Sequence, residues 1–87
     1  MKLIWFEEAW DDYLSWQTQD KKTLKRINQL IKDIIRGGYE GLGRPEQLKG
    51  DLSGFWSRRI DTCNRLVYRI EKDADAIQIL SCRTHYE

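Results

Sequence analysis

Apolar side chains recur at Leu24, Ile27, Leu30, Ile31, Ile34 and Ile35, one stripe at helical spacing. The stripe stops at Gly37-Gly38, because glycine enters the left-handed region without steric penalty and so ends a helix. A helix with one apolar side needs an apolar surface to cover, and the last third of the chain supplies strands. Phe55 to Ile60, Arg65 to Ile70 and Ala76 to Arg83 are rich in β-branched and aromatic residues. They are separated by Asp61-Thr62-Cys63-Asn64 and by Glu71-Lys72-Asp73-Ala74-Asp75, which read as hairpin turns. In the middle strand Leu66, Tyr68 and Ile70 share one face, while Arg65, Val67 and Arg69 share the other. One face should therefore meet the helices and the other should stay open.

Upstream, Asp20 is a suitable N-cap for the striped helix. Before it, Phe6, Trp10, Tyr13 and Leu14 repeat at helical spacing, and Glu7, Glu8, Asp11 and Asp12 are expected outside. Acidic residues in a first turn suit the helix dipole. Two helices with so short a break read as an antiparallel hairpin, and Lys2-Leu3-Ile4-Trp5-Phe6 reads as a short buried strand. A chain of 87 residues is expected to form one domain over 1–87, near the small end of what folds alone. Its four Trp, four Tyr and two Phe can fill much of a small core. Cys63 and Cys82 have no metal-type spacing and read as reduced, packed thiols. No apolar run is long enough to span a bilayer and no signal peptide is visible at Met1-Lys2-Leu3, so the expected location is the cytoplasm.

Residues 37–54 hold all six glycines and the only proline. A long irregular segment in so small a domain is usually functional or disordered, and this one carries Arg44, Glu46 and Lys49. Charge is also uneven. Residues 1–20 hold one basic and five acidic residues, whereas residues 21–72 hold thirteen basic and six acidic. That asymmetry permits one positive face for a polyanion, although a solvated helix surface accounts equally well for the lysines of 21–32.

Arginine binds phosphate in a bidentate fork and keeps its proton at working pH. Arg65, on the open face, either does this or covers sheet surface with its stem. Cleavage of RNA by its own 2′-hydroxyl needs a base, donors that stabilise the phosphorane, and an acid for the leaving 5′ oxygen. One Glu, Arg or Lys side chains and one His supply that set without a metal or cofactor. Glu46, Arg65 and His85 (the only histidine) are the candidates, with Lys49 and Arg59 as further charges. Spacing alone does not make them converge. Arg59 and Arg65 can address one phosphate only if an odd number of residues lies in the turn, or if a bulge shifts the register. Arg58 should face away from Arg59 in a regular strand. His85 stands third from the C-terminus, where chains normally fray, but a strand leads straight into it. Tyr86 either stacks on a base or bonds a phosphate, or closes the edge of the core. Trp56 reads as core. One His and two distant Cys cannot build a usual metal site, and no phosphate-loop glycine motif or serine-nucleophile motif is present.

Several blocks resemble the YoeB family of bacterial toxins, within the wider RelE superfamily. They are Met1-Lys2-Leu3-Ile4-Trp5, Trp10-Asp11-Asp12-Tyr13-Leu14, Arg44-Pro45-Glu46-Gln47-Leu48-Lys49, Leu52-Ser53-Gly54-Phe55-Trp56-Ser57-Arg58-Arg59-Ile60, Arg65-Leu66-Val67-Tyr68 and Cys82-Arg83-Thr84-His85-Tyr86. The resemblance covers essentially the whole chain. It implies an α+β fold in the order β-α-α-β-β-β, RelE-like and microbial-ribonuclease-like, with two N-terminal helices on a twisted, mostly antiparallel sheet. It implies an endoribonuclease that cuts mRNA in the A site of the 70S ribosome without a metal and so halts translation. It also implies a YefM-type antitoxin as partner, operator DNA bound only by the toxin–antitoxin complex, and a capacity to form a homodimer. Carried over by position, Glu46 matches the general base, Arg65 the phosphate stabiliser, His85 the general acid and Tyr86 the active-site aromatic. Lys49 and Arg59 match basic residues lining the site. Two features depart from the pattern: Glu87 follows the tyrosine, and Phe6 stands where a small capping residue often begins the first helix. The competing readings are a same-fold toxin that binds without cutting RNA, like the ParE gyrase inhibitors, and a plain RNA- or protein-binding module.

Overall fold

The computed structural model describes residues 1–84. The elements in chain order are β1 (Lys2–Trp5), α1 (Glu7–Gln19), α2 (Lys21–Gly37), β2 (Glu46–Gln47), a 3-10 turn (Gly50–Leu52), β3 (Trp56–Arg59), β4 (Arg65–Glu71) and β5 (Ala76–Ser81). The five strands form one sheet in the order β1-β5-β4-β3-β2. Only the β1–β5 pair is parallel; the others are antiparallel. This is the α+β architecture the sequence implies.

Four of the six residues of the apolar stripe are buried; Leu24 packs partly against the core, and Ile35 is exposed by 45% in the last turn of α2. Ile27, Leu30, Ile31 and Ile34 of α2 are buried against Leu66, Tyr68, Ile77 and Ile79 from the inner face of the sheet. Asp20 alone separates the helices, and its carboxylate accepts from Lys22 N and Thr23 N, each at 3.1 Å. Gly38, with φ +67°, ends α2 in a conformation that favours glycine. The Tyr13 hydroxyl donates to Asn28 Oδ1 at 2.7 Å and ties the two helices together. Trp56 stacks on Tyr39 with centroids 4.5 Å apart, and both rings pack against the core. As the sequence suggests, Phe6 caps α1 without a side-chain hydrogen bond. Among the described residues no helix is long and apolar enough to cross a membrane.

Four expectations need correction. The buried face of α1 is Ala9, Asp12 and Trp16, while Trp10 and Leu14 are exposed by 44% and 43%. The reason is hydrogen bonding: Asp12 Oδ2 accepts from Cys82 N at 3.0 Å and Trp16 Nε1 donates to Cys82 O at 2.9 Å. Turning this polar pair inward satisfies backbone groups that burial would otherwise leave unpaired. Second, β1 is not buried. It lies at the sheet edge, with Leu3 and Ile4 exposed and only Trp5 packing inward, 4.7 Å from the Tyr13 ring. Third, the glycine-rich segment is less irregular than it reads, since β2 pairs antiparallel with β3 and carries Glu46. Finally, Cys63 is exposed in the β3–β4 turn rather than packed; only Cys82 is buried.

Arg58 organises the loop before β2. Fully buried, it donates through Nε to Tyr68 Oη at 3.1 Å. Its Nη1 donates to the Asp33 carboxylate and to Leu42 O, and its Nη2 to Gly38 O and Glu40 O. These five bonds use all five N–H donors of the guanidinium. The loop then meets β3 directly: Gly43 O accepts from Arg59 N at 2.6 Å, and a Cβ at Gly43 (φ +82°) would lie 3.0 Å from Arg59 O. The core arginine thus fixes the path by which the chain reaches Glu46.

Candidate active site

The outer face of the sheet holds an open cavity of about 470 Å³. Its floor follows from strand register. Glu46 stands opposite Ser57, Ser57 opposite Val67, and Val67 opposite Ser81, one row across four strands. All four of these residues line the cavity, together with Arg65. Arg59 stands directly opposite Arg65. Residues 60–64 between them are an odd number, so the two side chains share the outer face, and Arg58 is sent inward. Like charges directly opposite in a sheet are unfavourable. Among the described residues the ion pairs are Arg58–Asp33, Arg69–Glu71 and the N-terminal amine with Asp75. Neither Arg59 nor Arg65 takes part in one.

A bulge interrupts β5. Val67 pairs with Ser81 and Tyr68 with Ile79, so Leu80 is the extra residue. Leu80 and Ser81 consequently both face the cavity while Cys82 turns into the core. Bulges bend a strand and re-aim the side chains that follow. Beyond it, Arg83 and Thr84 reach the cavity wall. The Arg83 guanidinium lies 4.0 Å over the Trp16 ring and donates to Gln19 Oε1 at 2.5 Å. Burial pushes the Cys82 thiol up to about 12, with the nearby Asp12 charge adding to it, so this cysteine stays neutral and inert.

Of the residues singled out from sequence, Glu46 and Arg65 are brought to one cavity. Arg59 joins Arg65 as its cross-strand neighbour, outside the cavity wall. Lys49 is exposed at the start of the 3-10 turn and does not line the cavity. His85 and Tyr86, with Glu87, lie outside the described residues. The sequence patterns do not single out Asp12, Trp16 and Asn64, which hold Cys82 and Thr84. The signal for the first two was available: Ala9, Asp12 and Trp16 share helical spacing as well as Phe6, Trp10 and Leu14 do. For Asn64 it was the Asp61-Thr62-Cys63-Asn64 pattern, in which the aspartate folds the turn around its own carboxylate.

A family model described as the YoeB-like toxin of bacterial type II toxin-antitoxin systems matches residues 5–86. The Toxin YoeB of Escherichia coli K12 is 58% identical over 86 residues, 99% of this chain and 100% of that protein. A YoeB/ParE toxin from Agrobacterium tumefaciens has a similar structure, with TM-score 0.94 and 45% identity over 99% of this chain and 100% of the other. A YoeB from Staphylococcus aureus is similar at TM-score 0.91 and 44% identity, covering 99% and 98%, in a heterotetrameric YoeB–YefM toxin–antitoxin complex. The staphylococcal YoeB has also been solved as a dimer, at TM-score 0.90 with the same identity and coverage. A family match over nearly the full length, with relatives this close, settles the class: the chain belongs to the YoeB-like toxins of bacterial type II toxin-antitoxin systems.

Proposed function

We propose that the chain is an mRNA endoribonuclease that works in the ribosomal A site, without a metal, and halts translation. The observation that carries the reading is the meeting of Glu46 and Arg65 on one open cavity, whose wall also includes Thr84, the residue before His85. In the proposed reaction Glu46 removes the proton of a 2′-hydroxyl, and that oxygen attacks the adjacent phosphorus. Arg65 stabilises the charge that develops on the phosphorane oxygens, with Arg59 beside it across the strands and Lys49, off the cavity wall, adding positive charge along the RNA path. The bond to the 5′ oxygen breaks as His85 supplies its proton. The products are a 2′,3′-cyclic phosphate upstream and a 5′-hydroxyl downstream. Tyr86 stacks on or bonds the RNA. A shallow, open site does little to align a flexible RNA for in-line attack, so the ribosome supplies the alignment and naked RNA is a poor substrate.

The partner in this reading is a YefM-type antitoxin, as in the staphylococcal complex. Trp10 and Leu14 on the exposed side of α1 suit an apolar segment of such a partner. Self-association is proposed by analogy with the staphylococcal dimer. Toeprinting on translating ribosomes tests the function. Wild type should produce a new stop within the A-site codon, and His85→Ala should not while keeping the same unfolding midpoint. Intact message together with broken DNA in induced cells would transfer the chain to the gyrase-inhibitor class.

A further inference from the structure

The turn between β3 and β4 also holds Thr84, the last of the described residues. Asp61 Oδ1 accepts from Cys63 N at 2.8 Å and from Asn64 N at 2.6 Å. Both Asp61 oxygens accept from Asn64 Nδ2, at 3.2 and 3.1 Å. The opposite side of the same amide, Asn64 Oδ1, accepts from Thr84 N at 2.9 Å, and the Thr84 hydroxyl donates to Cys63 O. The orientation of the amide follows from its partners. Reversed, it would set its oxygen against a carboxylate and its NH₂ against an N–H, two repulsive contacts in place of favourable ones. Two residues earlier, Asp12 and Trp16 grip both backbone groups of Cys82. Cys82 and Thr84 are therefore tied by their backbone, the first from α1 and the second from the turn.

The turn joins Arg59 to Arg65 through the chain, and Arg65 directly follows Asn64. We propose that Asn64, oriented by Asp61, is a positioning residue that registers Thr84, the residue before His85, against the Arg59–Arg65 pair. The proposal rests on the reading of His85 as general acid. A turn serving only to reverse the chain would be complete with the Asp61 bonds to Cys63 and Asn64, and would have no use for the bond from Thr84. Burial by itself would raise the Asp61 carboxyl. The Asn64 side chain and backbone, Cys63 N–H and the charge of Arg65 outweigh burial and leave it lowered, so the charged acceptor persists at neutral pH.

Single-turnover cleavage on translating ribosomes, with wild type, Asn64→Ala, His85→Ala and the double variant, tests the proposal. Asn64→Ala should slow cleavage at saturating ribosomes on the order of 10- to 100-fold, with the half-saturating concentration unchanged. In the His85→Ala background the same change should cost less than about twofold, because a positioning effect disappears with the group it positions. The ¹⁵N heteronuclear NOE of the Thr84 amide should fall in Asn64→Ala while the β4 and β5 amides keep theirs. An unchanged rate, an equal loss in both backgrounds, or a retained NOE would each overturn the proposal. Should Asn64→Ala fail to fold, Thr84→Val removes only the hydroxyl bond to Cys63 and should show a loss of about threefold in the same cycle. A wild type that does not cleave on ribosomes contradicts the endoribonuclease reading instead, and the NOE then decides on the tether alone.

Discussion

Arg58 and Arg59 are consecutive residues of β3, and the sheet gives them opposite environments. Arg58 enters the core, is fully buried, and places every N–H on an acceptor. Arg59 emerges on the outer face, exposed and directly opposite a second arginine, Arg65. One cluster is saturated; the other, among the described residues, makes no ion pair within 4.0 Å. A saturated buried cation has no capacity for a ligand, and removing it exposes its partners. A pair of like charges held together weakens the sheet and is ready to receive an anion. Residue type and sequence neighbourhood are the same, so the difference between scaffold and site lies in face and partner count.

The largest effect should come from breaking the saturated side. Arg58→Ala leaves the carbonyls of Glu40 and Leu42 without this donor, reduces Asp33 to the Leu42 N–H and Gly38 O to the Tyr68 hydroxyl, and should cost about 3–5 kcal/mol in urea unfolding. A variant that kept its stability would show that the loop holds itself. Next is the open side: Arg65→Ala should lower ribosome-dependent cleavage by about 10²- to 10³-fold without lowering the unfolding midpoint. A loss of stability comparable to that of Arg58→Ala would erase the distinction between the two faces.

Acid sharpens the contrast further. The Leu42 N–H, then the Arg58 guanidinium, hold the Asp33 carboxyl below its ordinary value of 3.8. A lowered folded-state value contributes stability that is complete above the unfolded value and is lost as pH falls through the folded one. Asp33's share should therefore be constant at neutral pH and disappear below about pH 4, and Arg58→Met should flatten that part of the stability–pH curve. If the acid slope of Arg58→Met matches wild type, the inner cluster is not what titrates. The smallest effect belongs to Arg59→Thr. Relieving the cross-strand repulsion should raise stability by about 0.2–1 kcal/mol in the same urea measurement, while ribosome binding weakens more at high salt than at low. A variant less stable than wild type would mean that the Arg59–Arg65 pair is not repulsive.

Much of the inner face could be read from the chain because it obeys periodicity. The α2 stripe, the Asp20 cap, the Gly38 stop and the alternation of β4 are local patterns with local causes. The buried face of α1 departs from the apolar pattern because its decisive residue is polar: Asp12 is buried where it accepts from Cys82 N–H, a bond across seventy positions that no hydrophobic pattern encodes. β1 read as buried because its residues are apolar, yet edge position is a property of the whole sheet. β2 was hidden because two residues are too few for alternation to show. At the site, the shared face of Arg59 and Arg65 could be posed as a parity condition from sequence, but only the register answered it. The β5 bulge, which turns Leu80 and Ser81 both to the cavity, left no trace in composition.

In the proposed function the outer face, not the saturated inner one, does acid–base chemistry on RNA. The chemical ends of the cut message test it most directly. Wild type on translating ribosomes should leave a 5′-hydroxyl on the downstream fragment and a 2′,3′-cyclic phosphate upstream, with Glu46→Gln slower by about 10²- to 10⁴-fold and Arg58→Lys leaving the same ends. A 5′-phosphate on the downstream fragment, or Glu46→Gln cutting at the wild-type rate, would contradict it.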